Sequence, residues 1–418
     1  MISKLKSFVY RHPFLRRNAE IFRDTVKGAL FILRTKGTVV SPNKIVFCSY
    51  LGRQYACSPK AIYEYMLQDK RFEDFEFVWV FKEPSVFAGK LPDKRRTQVV
   101  KYLSKEFENE MAGVGYWIFN ARVPVYIKKR KGQTYIQTWH GTPLKRLGLD
   151  VTGYIKGADD IKSLYRSFRL DGKRLDIMLS PSSFYGYCMA GAFGLKGKDL
   201  EKIAKLGYPR NDILYEAIDK DRDDIRRKLG IDENAKVILY APTWRETALD
   251  PAKGSTYSNG LQFDPGLDIG AFAQSLPDDT VVLLRTHYFV AKGAKSKDSR
   301  VIDVSDYDDI NELYICSDIL MTDYSSVMFD FAILGRPMVF YMYDIDEYKA
   351  VRDWYFPIED LPGEIIKDED RLREAVDIAL NDDGTLARRS YEFGLKYYPL
   401  GGGSSKRVAD AILKDRKE

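Results

Sequence analysis

The feature that most narrows the possible folds is a double alternation of short apolar runs with amphipathic stretches. Residues 44–50 (KIVFCSY), 75–81 (FEFVWVF), 115–120 (GYWIFN), 135–138 and 176–180 read as buried strands, with helical segments such as 58–67 and 161–168 between them. A second series begins at 237–240 and continues through 281–284, 301–304, 319–322 and 338–341. Strands that alternate with helices predict parallel sheets built from βα units. At 418 residues the chain is too long for one ordinary core. The expected architecture is therefore α/β, with two Rossmann-like doubly wound domains facing each other across a cleft. The turn GYPRND at 207–212 separates the two series. It puts a first domain at 41–208 and a second at 209–392, followed by a C-terminal helix over 393–418.

Residues 1–40 stand apart as a leader. They hold nine Lys and Arg against Glu20 and Asp24, a net +7, while the whole chain carries +6. The remainder is close to neutral, which argues against a nucleic-acid binder, whose excess charge belongs on a folded face. In the leader, cations alternate with Phe8, Phe14, Leu15, Ile21, Phe22, Val26 and the run 29–33. That run is far short of the ~20 residues of a spanning helix, and no signal-peptide core or cleavage site is present. A basic amphipathic helix lying on an anionic membrane is expected, at about 1 kcal/mol per well-placed cation. A helix that only docks on the first domain is the alternative. Cys48, Cys57, Cys188 and Cys316 show neither a CxxC pair nor metal-ligand spacing. Buried thiols in a reducing compartment are expected of all four.

Chemistry points to two of the three histidines. His12 lies in the leader, whereas His140 follows an apolar run in QTWHGTPLK and His287 follows another in LLRTH. Ligands of open parallel sheets bind beyond the carboxyl ends of strands. One histidine occupies such an end in each series, so the two are expected to converge on a shared cleft. An imidazole there, close to Lys145, suits proton abstraction beside a phosphorylated ligand. After the strand 319–322 come Asp323, Tyr324, Ser325 and Ser326, then an apolar stretch of helical spacing from Val327. Ser325 and Ser326 would stand at a helix start able to hold phosphate oxygens, with Asp330 one turn further to accept ribose hydroxyl protons. A Ser325 that merely caps its helix is the plainer alternative. Arg285, and Arg245 within APTWR, add strand-end cations. No GxGxxG, P-loop or GxSxG pattern falls where it would matter. Neither a metal nor a cofactor is expected, so a diphosphate would be neutralised by Arg, Lys, His and helix starts.

QTWHGTPLK, GYPRND, APTWR, LRTH, TDYSSVMFDFAILGRP and RDWYFP occur in this order within roughly 44–410. Together they resemble the signature blocks of the CDP-glycerol glycerophosphotransferase family, which comprises teichoic-acid primases and polymerases and related capsule enzymes. The resemblance implies a GT-B-like architecture and transfer of a polyol phosphate from a CDP-polyol, with release of CMP. It implies His140 as catalytic base and His287 as a second catalytic histidine or donor-phosphate ligand. The donor site would be lined by Arg285, Ser325, Ser326, Asp323, Asp330, Arg245 and Lys145. The first domain would take a lipid-linked polyprenyl-diphosphate acceptor and the second the CDP-polyol, at the cytoplasmic face of the cell membrane. Two departures stand out. The chain lacks the large N-terminal extension of some long polymerases, which leaves a primase or short-chain enzyme open. The GGGSS segment at 401–405 replaces a more usual acidic-glycine turn and is assigned no role. The rival readings are a nucleotide-sugar glycosyltransferase on the same fold and a non-catalytic membrane-binding scaffold.

Overall fold

The computed structural model describes residues 12–152, 161–243, 266–286, 298–351 and 354–415. Seven parallel strands form the first sheet: β1 (Ser41–Cys48), β2 (Glu76–Phe81), β3 (Thr97–Lys101), β4 (Val114–Phe119), β5 (Thr134–Gln137), β6 (Ile177–Leu179) and β7 (Ile203–Ala204). Six parallel strands form the second: β8 (Lys236–Ala241), β9 (Thr280–Leu284), β10 (Val301–Asp303), β11 (Ile319–Thr322), β12 (Met338–Tyr341) and β13 (Ile365–Ile366). The orders are β3-β2-β1-β4-β5-β6-β7 and β10-β9-β8-β11-β12-β13. Both are the doubly wound Rossmann order, whose winding reverses between β1 and β4 and between β8 and β11. Crevices at such reversals are where α/β sheets hold ligands. All six residues of β4 are buried, as expected of a central parallel strand covered on both faces.

The two halves are fused beneath the cleft. Leu144, Tyr208, Tyr314, Phe329 and Tyr397 share one buried cluster with Trp117 of the first sheet and Leu320 of the second. Lys60 pairs with Asp309 at 3.0 Å and Lys90 with Asp308 across the rims. Lys145 forms an antiparallel bridge with Trp354, and the Tyr355 N–H donates to the Leu144 carbonyl at 2.9 Å.

Five helices besides the long N-terminal one matter for the site. They are α2 (Cys57–Gln68), α3 (Ile161–Arg174), α4 (Val327–Phe331), α5 (Thr385–Tyr397) and α6 (Ser404–Asp415), numbered after α1 (Pro13–Arg34). Residue 393 falls inside α5, which packs on the second domain through Phe393 and Tyr397 against Phe329. The last described helix, α6, returns to the first domain, placing Val408, Ala409 and Ile412 beside Tyr63 and Met66. The GGGSS segment starts α6. Its Ser404 and Ser405 N–H groups donate to the Asp212 carboxylate at 2.8 and 2.7 Å, so this helix start is capped internally. Gly207, at φ +89°, lies where a Cβ would come within 2.3 Å of Ser404 Oγ. The two chain crossings between domains therefore touch, and glycine is required there.

The leader helix α1 has two different faces. One face docks: Phe31 and Thr35 are buried, Arg34 pairs with Glu108 at 3.0 Å, and Asp24 pairs with Arg166 at 2.8 Å. The opposite face leaves Leu15, Phe22, Val26, Leu30 and Leu33 exposed. Among the described residues, no helix is long and apolar enough to cross a membrane.

Candidate active site

His140 is held by a strained turn at the mouth of β5. Gln137, the last residue of the strand, accepts the Trp139 N–H at 2.9 Å and donates to Tyr135 Oη at 2.7 Å. Trp139 is left-handed, at φ +52°, which costs a non-glycine residue on the order of 1–3 kcal/mol. Its indole stacks on the His140 ring at 4.5 Å, while Tyr50 tilts against the same ring at 5.6 Å. The closest polar contact runs from Nδ1 to the Asn120 carbonyl at 2.6 Å. A carbonyl can only accept, so Nδ1 carries the proton and Nε2 presents its lone pair. Burial lowers the ring's pKa to about 4, with the Arg210 and Arg122 charges acting in the same direction against the carbonyl bond. The imidazole is neutral at physiological pH and able to take a proton.

The second domain meets this loop at α4. A Cβ on Gly141 would lie 2.8 Å from Ser326 Oγ, so glycine is what lets the two domains approach here. Ser325 and Ser326 are half-buried beside the loop. The helix they open is only five residues long and runs into a 3-10 turn over Ala332–Leu334. Its dipole is correspondingly small, and the hydroxyls and first amide groups carry most of any anion affinity. Arg285 stands at the end of β9, its Nη1 donating to the carbonyls of Val304 and Tyr307 at 3.1 and 2.9 Å. Anchored that way, it can direct Nε and Nη2 elsewhere. Lys145 reaches over the Tyr348 ring at 4.9 Å, and Tyr348 stacks on Tyr324 at 3.9 Å.

Arg210 ties the halves together under the site. Its Nη1 donates to the His140 carbonyl at 2.9 Å and its Nη2 pairs with Asp330. Asn211 Nδ2 and Tyr398 Oη also donate to Asp330, at 2.8 and 2.7 Å, and Thr142 Oγ1 lies 2.9 Å from Tyr398 Oη. Burial opposes the guanidinium's charge, but Asp330 and its other neighbours outweigh burial and raise its pKa well above the ordinary value.

The family model for CDP-glycerol:poly(glycerophosphate) glycerophosphotransferases matches residues 30–414. The chain belongs to this family. It is 36% identical over 380 residues to the teichoic acid glycerol-phosphate transferase of Staphylococcus aureus, covering 89% of this chain and 94% of that protein. To the teichoic acid poly(glycerol phosphate) polymerase of Staphylococcus epidermidis it is 36% identical over 411 residues, 96% of this chain but 55% of the relative. The chain thus spans about half the length of that polymerase. A histidine-to-asparagine variant of the wall teichoic acid polymerase TagF, soaked with CDPG, superposes with a TM-score of 0.81 at 35% identity, over 98% of both chains. The architecture is GT-B-like. A putative UDP-N-acetylglucosamine 2-epimerase from Listeria monocytogenes, at 15% identity and a TM-score of 0.54 over 90% of this chain and 97% of that one, shares the fold alone.

In this glycerophosphotransferase-family chain the expected site residues divide into three groups. His140, Lys145, Arg285, Ser325 and Ser326 gather where the domains meet. Asp323 and Asp330 do not face the cleft. Asp323 is buried and accepts the Thr243 N–H at 2.8 and 3.0 Å, which fixes the loop at the β8–β11 reversal. Asp330 is fully buried with both oxygens engaged, so its expected contact with ribose hydroxyls gives way to a positioning role. His287 and Arg245 lie outside the described residues. Sequence reasoning missed Tyr50, Cys57, Asn120 and Arg210. The strand-end rule, applied to β1 and β4, reaches Tyr50 and Asn120, and the Tyr50 N–H donates to Asn120 Oδ1 at 2.7 Å. Cys57 was expected to be buried like the other three cysteines. It is half-exposed, with Sγ 3.9 Å from Arg210 Nη1. Tyr50, Leu51 and Cys57 are left-handed like Trp139, so backbone strain concentrates around His140.

Proposed function

We propose that this protein transfers glycerol phosphate, or ribitol phosphate as the alternative, from a CDP-polyol to a hydroxyl of a lipid-linked teichoic-acid or capsule-type acceptor, releasing CMP. The observation that carries the reading is His140. Its proton is parked on Nδ1 by the Asn120 carbonyl, and the next residue touches Ser326 of the opposite domain. Nε2 removes the proton of the acceptor hydroxyl, and the freed oxygen attacks the β-phosphorus of the CDP-polyol. The bond to the bridging oxygen breaks, and CMP departs with that oxygen. Arg285, Ser325 and Ser326 stabilise the charge that develops on the phosphates, together with His287 and Arg245. Glycerol is favoured because glycerol-phosphate relatives are 34–36% identical and ribitol-phosphate relatives 26–31%.

The site is tested by offering CDP-glycerol, CDP-ribitol and common UDP- and GDP-sugars with a hydroxyl-bearing acceptor and identifying the nucleotide released. CMP from CDP-glycerol is the expected product. UDP or GDP release would establish a glycosyltransferase instead, and no turnover with any donor would leave a scaffold. His140→Ala should lower kcat by about 10²–10⁴-fold, the usual worth of a general base, with CDP-glycerol binding retained. Near-normal CMP release by that variant would remove His140 from the chemistry.

The leader completes the reading. The exposed stripe of α1, flanked by Arg23 and Lys27, suits an anionic membrane surface. It would hold the enzyme at the cytoplasmic face, where a polyprenyl-diphosphate acceptor is presented.

A further inference from the structure

Near His140 the first domain carries a cation that the donor chemistry does not use, close enough for its charge to act on the imidazole. Arg122 lies two residues beyond Asn120, half-buried, with its guanidinium 4.1 Å over the Phe168 ring and Nη1 donating to Ser167 Oγ. Among the described residues no carboxylate forms an ion pair with it. Asp171, whose charge reaches it, is committed to Arg174 and to Tyr135 Oη. Burial therefore wins and lowers the Arg122 pKa. A partly desolvated guanidinium without a carboxylate in contact is costly, and an arriving anion relieves that cost.

Position says which anion. From Arg122 an aromatic shelf leads to the base: Phe168 lies 5.9 Å from Trp139, and Trp139 lies 4.5 Å from His140. The contacts of Arg122, with Phe168 and Ser167, lie within the first domain, whereas Arg285, Ser325 and Ser326 belong to the second, so Arg122 is on the acceptor side. The helix beneath it, α3, also fastens the leader helix, through Arg166 to Asp24 at 2.8 Å and Ser163 to Glu20 at 3.1 Å.

We propose that Arg122 binds a phosphate of the acceptor next to the hydroxyl that His140 deprotonates, so the preferred acceptor is a chain end already carrying a phosphodiester. The site deepens the acceptor-side reading of His140 and rests on it. It favours chain elongation over a first addition to a neutral sugar hydroxyl. The planar fork of the guanidinium matches phosphate oxygens, which a lysine ammonium meets only as a point charge.

The test uses the full chain and two probes with the same octyl chain, one ending in a glycerol phosphodiester and one an octyl glyceryl ether. Equilibrium binding is measured for wild type, Arg122→Gln and Arg122→Lys. Wild type should prefer the phosphodiester by about ten- to a hundredfold, the range for a charge-assisted hydrogen bond. Arg122→Gln should abolish the preference, and Arg122→Lys should restore part of it. CDP-glycerol affinity, unchanged in all three, verifies the fold. Equal binding of the two probes by wild type, no binding of the phosphodiester, or a preference that survives in Arg122→Gln would overturn the site. Wild type that shows the preference yet turns over no CDP-polyol would refute the proposed reaction and leave the anion site standing.

Discussion

At the scale of single residues, the question is why a histidine so starved of protons is useful. A free imidazole titrates near 6.5 and would be partly charged in mildly acidic solution. His140 is pushed down to about 4 by burial and two guanidinium charges, while Nδ1 keeps its proton on the Asn120 carbonyl. The folded pKa lies below the unfolded one, so the neutral base persists as pH falls until about 4. The acid limb of kcat/KM for CMP release should therefore centre near pH 4, since that ratio reports the free enzyme. Between about 6.5 and 4 the unfolded chain binds a proton that the folded ring refuses, so stability should fall across the same window. Short assays with a parallel melting curve separate the two effects. An acid limb centred at 6.5 would mean that the ring is not held as described.

At the scale of elements, the site depends on three segments meeting at one carboxylate and a fourth tied to them through Arg210. Asp330 of α4 accepts from Arg210 and Asn211 of the interdomain turn and from Tyr398 after α5, and Arg210 also holds the His140 carbonyl. Replacing Arg210 by Met strands a buried charge and should destabilise the fold by about 3–5 kcal/mol, read by chemical or thermal unfolding. Adding Asp330→Leu should return much of that stability, because a buried pair exchanged for apolar groups is often neutral. CMP release should stay low in the double variant, since the carbonyl of His140 has lost its tether. A single variant as stable as wild type would show that the pair does not brace the domains. The same cluster marks how far the sequence could be read. Ten strands were legible as apolar runs, because both faces of each sheet are covered. The edge strand β3 was not, since only Val100 of its five residues is fully buried, and β7 and β13 are two residues each. The strand, polar turn and apolar stretch around Ser325 correctly marked the start of α4. Asp330 was misplaced because helical spacing gives a face but not what lies against it. Arg210 was passed over because its partners are 70 and 120 residues away in the chain.

At the scale of the whole molecule, α1 has to serve two surfaces at once. Its inner face is tied to the first domain by Phe31, Thr35 and Asp24, and its outer face carries Leu15, Phe22, Val26, Leu30 and Leu33 at helical spacing. Because the faces are separate, membrane contact can be removed without disturbing the dock. Phe22→Glu with Leu33→Glu should leave the melting temperature unchanged and cut partitioning to anionic vesicles by about a hundredfold or more, at roughly 1.5–3 kcal/mol for each buried apolar side chain. Residual binding should weaken further with added salt, because Arg23 and Lys27 would then supply most of it. Turnover with a water-soluble acceptor should survive, while turnover with an acceptor embedded in vesicles should fall with the partitioning. Undiminished vesicle binding by the double variant would reduce α1 to a docking helix. The acceptor would then have to reach Arg122 and His140 by a route that does not begin at this stripe.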